Sequence, residues 1–390
     1  MKAKAIELFC PAKLNLFLHI TGKRDDGYHS LQTLFELVDF GDLLTVTISE
    51  SDKRTRDHEG PDASLISFAC NAPYLETLTH RDNLCTRAAL LYFEAIGIQP
   101  TECKITLAKR IPSGAGLGGG SSNAAGMLIG LNELYEKALN RAELLVLARQ
   151  LGADVPLFIH GGPAFAEGIG DQLMPLSLPK RYYLLITPPV HANTAKIFAH
   201  PALTRNSQTI KVAPPLQSLS EAFSGGFLPG FRNDFSSVYE AVNPAQAVNP
   251  AQAVDSAQAV HAASASDEIE SLESVARLVM ASSALLNQCI ELALAELEDK
   301  NLEDALHAQA RLTGSGSSVF AAFEGNDRGH QLACKTKQFV EQSLAEQVGS
   351  QDGASTMNTT GMMSTLGQPP AGAFANWSVQ LASSLVCSPY

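Results

Sequence analysis

The stretch IPSGAGLGGGSSNAAG, residues 111–126, has glycine at positions 114, 116, 118, 119, 120 and 126. Glycine loses more backbone entropy on folding than any other residue, so such a dense run implies a backbone conformation or a close approach that side chains forbid. The preceding segment CKITLAKRI (103–111) is typical of a strand, and Ser121 and Ser122 are suitable N-cap residues for a helix reaching Tyr135. The stretch therefore predicts a tight strand–loop–helix connection.

Three functions compete for this loop. A flexible linker fits poorly, because a strand and an amphipathic helix flank the loop directly. The spacing Gly114-x-Gly116-x-x-Gly119 matches the dinucleotide fingerprint, but the acidic residues about 20 positions later, Glu133 and Glu136, still fall inside the following helix. The P-loop pattern fails because no lysine follows the glycines. The sequence favours a different phosphate cradle, made of converging N–H groups that end at a helix N-terminus.

Composition limits the class of protein. A chain of 390 residues favours two domains, and 45% hydrophobic with 17% charged residues is typical of a soluble, globular protein rather than a disordered one. The sequence has no uninterrupted apolar run of about 18 residues, so no membrane span is expected. Pro11, Lys13 and Asn15 interrupt the first apolar run, which argues against a secretory signal.

Charge and cysteine content point to a cytoplasmic protein with a small-molecule ligand. A net charge of −12 argues against nucleic acid, whose binding surfaces are basic, but permits a small anion held by local cations and backbone N–H groups. The seven cysteines are scattered and contain no CxxC pair, so reduced thiols are expected rather than disulfides or a zinc site.

Local patterns predict the main elements around the loop. The predicted segments are strands at 43–48, 103–111 and 182–187, helices at 84–96 and about 141–151, and a turn at RDDGYHS. A domain change is placed near residue 180. A repeated hexapeptide, NPAQAV-NPAQAV-DSAQAV (243–260), and a Ser/Thr/Gly-rich stretch (349–375) are interpreted as inserts without a chemical role.

Two charged residues stand out against their surroundings. Lys13 lies among apolar neighbours in PAKLNLFL, either as a strand-edge lysine that reaches solvent or as a functional cation. Asp154 in LGADVPLFI is either an ordinary N-cap or a functional carboxylate. A second glycine-rich loop, RLTGSGSS (311–318), suggests another backbone wall facing the same cleft.

Taken together, four motifs resemble the GHMP kinase superfamily and, within it, the family of 4-diphosphocytidyl-2-C-methyl-D-erythritol kinases. The motifs occur in that family's order: PAKLNLFLHITGKRDDGYHSLQTLFELVDFGD (11–42), PSGAGLGGGSSNAA (112–125), LGADVPLFIHGGPAFAEGIGD (151–171) and RLTGSGSSVFAAF (311–323). The inserts near 241–270 and 349–375 and the stretch 51–64 depart from the family's pattern.

The resemblance implies a two-domain α+β fold. It consists of an N-terminal ATP-binding domain like ribosomal protein S5 domain 2 (1–180) and a C-terminal ferredoxin-like α/β sandwich (181–390), with the active site in the cleft between them. It also implies ATP-dependent phosphorylation of the 2-hydroxyl of 4-diphosphocytidyl-2-C-methyl-D-erythritol, in the non-mevalonate route to isoprenoid precursors.

The resemblance also assigns roles to residues. Lys13 and Asp154 match the family's catalytic pair. The ATP phosphate loop corresponds to Pro112, Ser113, Gly114, Ala115, Gly116, Leu117, Gly118, Gly119, Gly120, Ser121 and Ser122, with Asn83 and Leu84 near the adenine. The substrate-binding residues correspond to Asn15, Tyr28, His29, Thr194 and Phe198. Tyr28 and Phe198 are expected to sandwich the cytosine while His29 hydrogen-bonds its edge.

Other expectations follow from the same resemblance. Mg²⁺ is expected with ATP, although no ligand for it is identified beyond Asp154. The chain is expected to be a monomer or a weak homodimer without nucleic-acid or membrane partners. The competing functions are a related kinase for mevalonate or homoserine, a non-catalytic nucleotide-binding protein, and, more distantly, a nicotinamide-dependent dehydrogenase.

Overall fold

The structure is a computed structural model that describes residues 3–49, 62–98, 100, 102–210, 232–242, 272–297, 308–349 and 377–385. The inserts predicted at 241–270 and 349–375 lie outside the described residues, apart from 241, 242 and 349.

The described residues form ten strands, which are arranged in two sheets, and nine α-helices. The strands are β1 (Ala3–Lys23), β2 (His29–Ser49), β3 (Ile66–Cys70), β4 (Glu102–Ala108), β5 (Ala164–Glu167), β6 (Gln172–Pro175), β7 (Arg181–Thr187), β8 (Arg311–Leu312), β9 (Val319–Glu324) and β10 (Ser378–Ser383). The helices are α1 (Pro73–Glu76), α2 (Leu84–Ile96), α3 (Gly119–Leu134), α4 (Arg141–Leu151), α5 (Val155–His160), α6 (Thr194–Ala199), α7 (Ser236–Val242), α8 (Leu272–Glu296) and α9 (Asp327–Gly349).

The first sheet is built around one long hairpin. β1 and β2 each have 21 residues, pair antiparallel and are joined by the predicted turn at 24–28. The strand order is β3-β4-β2-β5-β6, with β1 also paired to β2. Helices α2, α3, α4 and α5 cover one face of the sheet and bury an apolar cluster that includes Leu44, Val46, Ile105, Leu128 and Phe158.

The second sheet has the order β10-β7-β9-β8, and every described pairing within it is antiparallel. Helices α7, α8 and α9 pack with it around a second apolar cluster that includes Leu184, Ile186, Val279, Ile290 and Val340. The combination of largely antiparallel sheets with helices packed against them confirms the predicted α+β class.

A third apolar cluster joins the two sheets. Leu14, Phe17 and Leu34 of the first sheet pack in one cluster with Tyr183 and Phe320 of the second. The chain passes from one sheet to the other between β6 and β7. The domain boundary at residue 180 remains a prediction, although the change of sheet falls beside it.

Helix α8 is long and apolar enough, by length and composition alone, to cross a membrane, with a mean hydropathy of 1.5 over its best 18-residue window. The expectation of no membrane span rested on the absence of an uninterrupted apolar run. Helix α8 contains polar residues, but its mean hydropathy over 18 residues is still high enough for a span. Its apolar positions, including Val275, Val279 and Ile290, are buried in the second cluster, as in the core helix of a folded domain.

Several local predictions are confirmed. Helices occupy 84–96 and 141–151 as predicted, with Gly97 in the left-handed conformation at the end of α2. Asn140 and Glu143 form a capping box at the start of α4. Two boundaries were wrong: the strand predicted at 103–111 ends at Ala108, and the helix after the loop begins at Gly119.

A buried ion pair explains the early end of β4. Asp42 on β2 is fully buried, and its Oδ1 accepts the backbone N–H groups of Arg110 (2.7 Å) and Ile111 (2.8 Å). Its Oδ2 lies 2.7 Å from Nζ of Lys109, which also donates to the carbonyl of Ile111. These bonds turn the chain away from the sheet and fix where the glycine-rich loop starts.

We expect Asp42→Asn to destabilise the protein by about 3–5 kcal/mol, because it leaves the Lys109 ammonium buried without its counter-ion. The control is Glu273→Gln, which removes an exposed ion pair with Arg277 and should cost less than about 1 kcal/mol. Urea unfolding of both variants measures the difference. Similar small losses for the two variants would contradict a role for Asp42 in holding the loop.

Candidate active site

A cleft of about 590 Å³ is lined by residues from both halves of the chain. The lining includes Lys13, Asn15, Gly116, Ser121 and Asp154 from the first half and His191, Thr194, Phe198 and Ser315 from the second. Three glycine- or turn-rich connections therefore meet here: the loop before α3, the loop between β8 and β9, and the segment after β7.

Lys13 points its charge into the protein rather than to solvent. The residue is 4% exposed, and its Nζ donates to Oδ1 of Asn15 at 2.5 Å. Nζ lies 3.6 Å from Oδ2 of Asp154 and 5.4 Å from the centre of the Phe35 ring. A buried ammonium loses its hydration, so these partners compensate it directly. The alternative of a strand-edge lysine reaching solvent is therefore wrong.

Asp154 occupies the N-cap position of α5, but its side chain accepts no capping hydrogen bond. Its carboxylate instead lines the cleft beside Lys13, with the side chain 35% exposed. A carboxylate that is partly accessible and next to a buried cation can accept a hydrogen bond from a ligand hydroxyl. The structure thus brings together the two residues predicted to form a catalytic pair.

The glycine-rich loop needs glycine at Gly116 for two reasons. Its φ is +76°, which side chains rarely adopt, and a Cβ there would lie 2.4 Å from the carbonyl oxygen of Thr313. Backbone bonds hold the loop on both sides: Lys13 N–H donates to the carbonyl of Leu117 (3.0 Å) and Ser318 N–H to that of Ala115 (3.2 Å). The predicted second backbone wall is thus packed directly against the first.

Helix α3 begins earlier than predicted. Gly118, with φ +71°, occupies the N-cap position, so Ser121 and Ser122 lie inside the first turn and do not cap the helix. Ser121 lines the cleft, whereas Ser122 is fully buried and its Oγ has no hydrogen-bond partner among the described residues. The N-terminus of a 16-residue helix next to the cleft favours an anion there.

The residues predicted to hold a cytosine are arranged differently from expectation. His29, not Tyr28, stacks on Phe198, with ring centres 5.0 Å apart and an interplanar angle of 23°. Tyr28 lies in the hairpin turn, 61% exposed, and is not part of the cleft lining. Burial and the nearby charges of Arg205 and Lys23 lower the pKa of His29, which favours its neutral form.

The other predicted site residues lie on two sides of the loop. Asn15 joins Lys13 to β2 by donating from Nδ2 to Thr33 Oγ1 at 2.8 Å. Thr194 Oγ1 lies 2.7 Å from Ser315 Oγ, within hydrogen-bond distance, and both residues line the cleft.

Asn83 and Leu84 do not line the cleft. Asn83 caps α2 by accepting the N–H groups of Cys85 and Thr86, and a Cβ on Gly120 would lie 3.4 Å from Cδ1 of Leu84. Their expected position near an adenine remains a prediction.

The sequence analysis missed several residues that shape the cleft. His191 lies so close to the loop that a Cβ on Gly114 would overlap its ring, at 2.0 Å from Cδ2. Asn233 donates from Nδ2 to the carbonyls of Leu312 (3.0 Å) and Gly314 (2.8 Å) and thereby holds the second loop. The signal for Asn233 was the short patch Arg232-Asn233-Asp234, which shows a weaker resemblance to the family.

No group of three or more His, Cys, Asp or Glu residues suited to a metal ion occurs in the described part of the chain. Among the described residues that line the cleft, Asp154 is the one with a carboxylate.

Comparisons with known proteins fit this geometry. The family model described as "GHMP kinases N terminal domain" matches residues 83–162. The chain is 40% identical over 251 residues to a 4-diphosphocytidyl-2-C-methyl-D-erythritol kinase of Hahella chejuensis, covering 63% of this chain and 77% of that protein. A relative of the same name from Nitrosospira multiformis is 48% identical over 211 residues, covering 53% of this chain and 66% of that protein.

Solved structures agree on the fold. A crystal structure of a 4-(cytidine 5'-diphospho)-2C-methyl-D-erythritol kinase superposes with a TM-score of 0.57 at 28% identity, covering 86% of this chain and 96% of the other. A homoserine kinase from Cytophaga hutchinsonii gives a TM-score of 0.51 at 19% identity, covering 100% and 96%, and shows the fold alone.

The fold and cleft define a GHMP kinase, an enzyme class that phosphorylates small molecules, and this confirms the predicted fold class and the prediction of an enzyme. Within that class, the chain belongs to the family of 4-diphosphocytidyl-2-C-methyl-D-erythritol kinases.

We expect Gly116→Ala to destabilise the protein and weaken nucleotide binding, because the added Cβ meets the Thr313 carbonyl and the left-handed backbone alone costs about 1–2 kcal/mol. The matched control is Gly22→Ala: a Cβ there meets nothing within 4 Å and the backbone is not left-handed. Thermal unfolding and the KM for ATP measure the two effects. Equal behaviour of both variants would contradict the close approach of the loops.

Proposed function

We propose that this chain transfers the γ-phosphoryl group of ATP to the 2-hydroxyl of 4-diphosphocytidyl-2-C-methyl-D-erythritol, which gives the 2-phosphate in the non-mevalonate route to isoprenoid precursors. The observation that carries the proposal is the buried Lys13 ammonium beside Asp154, in a cleft that is also lined by the glycine-rich loop and by Phe198, on which His29 stacks. The family to which the chain belongs supports the same substrate.

The loop suits a nucleotide phosphate. Left-handed Gly114, Gly116 and Gly118 leave no side chain between the backbone and a ligand, and the N-terminus of α3 favours negative charge. The buried Oγ of Ser122, without a partner among the described residues, offers a further polar group in the first turn of that helix.

ATP supplies the transferable phosphoryl group, and Mg²⁺, when bound with it, neutralises phosphate charge. The described residues give such an ion few protein ligands: the carboxylate of Asp154 and the hydroxyls of Ser121 and Ser122 are the groups we assign to it. Oxygen atoms of the bound phosphates and of water would supply its remaining ligands.

Asp154 and Lys13 act on the acceptor hydroxyl. Asp154 accepts a hydrogen bond from the hydroxyl, which orients its oxygen and leaves a carboxylate ready to take the proton. Lys13 holds that carboxylate and places a positive charge near the transferring group. Because phosphoryl transfer needs little covalent chemistry from the protein, positioning and charge stabilisation dominate the contribution of these residues.

Other residues that line the cleft provide the contacts with the substrate. Phe198, stacked on His29 and lining the cleft, offers an apolar face for a flat base. Asn15 and Thr194 also line the cleft and offer an amide and a hydroxyl for hydrogen bonds with the substrate. We include Tyr28 in this site as an exposed residue of the hairpin turn, next to His29, that is free to contact the base.

The proposal also covers the partners, the cellular location and the oligomeric state of the enzyme. The net charge of −12 supports the absence of nucleic-acid partners. We place the protein in the cytoplasm, without a membrane partner, as a monomer or weak homodimer. The burial of α8 in the second cluster supports an assignment of that helix to the protein core.

We expect Asp154→Asn to lower kcat by at least about 100-fold while the protein remains folded, because the amide cannot accept the hydroxyl proton. Asp327→Asn, at the exposed start of α9, is the control and should leave kcat unchanged. Steady-state kinetics and circular dichroism measure both variants. A near-normal rate for Asp154→Asn would exclude its role.

The function itself is tested by a panel of acceptors with ATP. ATP should be consumed with the diphosphocytidyl substrate and not with mevalonate or homoserine, because only the first carries a base for the His29–Phe198 stack. Turnover of mevalonate or homoserine alone would show a related kinase, and turnover of none would favour a non-catalytic nucleotide-binding protein.

A further inference from the structure

Arg205 makes a set of contacts that the sequence did not predict. The residue follows α6, is half-buried, and donates from Nε to Nε2 of His29 at 3.2 Å. Its other nitrogens donate to three backbone carbonyls, those of Leu203 (3.1 Å), Phe198 (2.8 Å) and His200 (2.8 Å). One guanidinium thus fixes both the chain that carries Phe198 and the ring that stacks on it.

The contact with Arg205 decides where His29 carries its proton. A guanidinium has only N–H donors, so Nε2 of His29 must accept and cannot be protonated. In the neutral imidazole the proton is then on Nδ1. The lowered pKa of His29, caused by burial and by the charges of Arg205 and Lys23, agrees with this neutral state.

The two rings are held from both sides. His29 belongs to the hairpin of the first sheet, whereas Phe198 and Arg205 belong to the segment after β7. Phe198 also packs edge-on against Phe235, with ring centres 4.9 Å apart. The same segment docks on the hairpin through Ser207 N–H, which donates to the carbonyl of Ile20 at 3.1 Å.

We propose that Arg205 is a positioning residue for recognition of the pyrimidine: it fixes His29 as the Nδ1–H tautomer, flat against Phe198, so that the imidazole presents a donor to an acceptor atom of the cytosine ring. The proposal rests on the proposed function. Cytosine has two ring-edge acceptors, O2 and N3, which an Nδ1–H group complements. The other tautomer would present a lone pair to those atoms and leave them unpaired.

A double-mutant cycle tests whether Arg205 acts through His29. We expect Arg205→Leu to raise the KM for the diphosphocytidyl substrate about tenfold, roughly the effect of losing one hydrogen bond, with little change in kcat or in the KM for ATP. In the His29→Ala background the same substitution should raise KM by clearly less than tenfold, because only the contacts of Arg205 with backbone carbonyls remain to be lost. Arg87→Leu is the control: it removes a half-buried arginine that donates to the carbonyl of Gln150 and does not line the cleft.

Nitrogen NMR of the imidazole rings gives an independent measurement on the unsubstituted protein. Comparison with His29→Ala identifies the His29 signals, which should show a protonated Nδ1 and an unprotonated Nε2. Arg205→Leu should convert this single form into a mixture of tautomers. A purely structural role for Arg205 would alter KM without changing the tautomer.

Three results would overturn the Arg205 proposal alone: additive KM effects in the cycle, an Nε2–H tautomer in the unsubstituted protein, or a tautomer that Arg205→Leu leaves unchanged. If the unsubstituted protein does not phosphorylate the diphosphocytidyl substrate at all, the proposed function fails, and the role of Arg205 toward a pyrimidine fails with it.

Discussion

The buried positive charge of Lys13 is the constraint on which the cleft depends. An ammonium that is 4% exposed on an apolar strand is costly unless oxygen atoms surround it, because it has lost its hydration. Asn15 and Asp154 meet that requirement from β1 itself and from the start of α5. The carboxylate at the start of α5 accordingly lies beside this charge and does not cap its own helix.

Close packing of two loops sets the shape of the phosphate cradle. A Cβ on Gly314 would lie 2.7 Å from the carbonyl oxygen of Gly116, and a Cβ on Gly116 would lie 2.4 Å from that of Thr313. The two backbones are therefore in contact without side chains between them. The loop before α3 takes its conformation partly from residues almost 200 positions later in the chain, which is why local signals alone describe it incompletely.

Features with local causes could be predicted from the sequence. Helices α2 and α4 have their caps and apolar spacing within a single segment, so their bounds were correct. The start of α3 was misplaced because serine is usually the better N-cap, and only the left-handed backbone of Gly118 places the first turn at Gly119. Lys13 and Asp154 were each ambiguous alone, and the four-motif resemblance selected them as a pair.

Features with non-local causes could not be predicted in this way. Arg205 and His29 are 176 residues apart, and Asp42 and Lys109 are 67 apart, so no spacing rule connects either pair. Asp42 did leave a signal of the same kind as Lys13, a charged residue within an apolar run. The predicted pairing of Tyr28 with Phe198 also depended on ring positions that only the folded hairpin sets.

The apolar cluster shared by the two sheets has a consequence for how the chain unfolds. Leu14, Phe17 and Leu34 are covered by Tyr183 and Phe320, so a fragment that stopped after β6 would expose this face to water. The first half of the chain thus forms its own sheet, but its stability depends on the second half. Ligand binding anywhere in the cleft therefore stabilises both sheets together, and the described parts should unfold as one cooperative body.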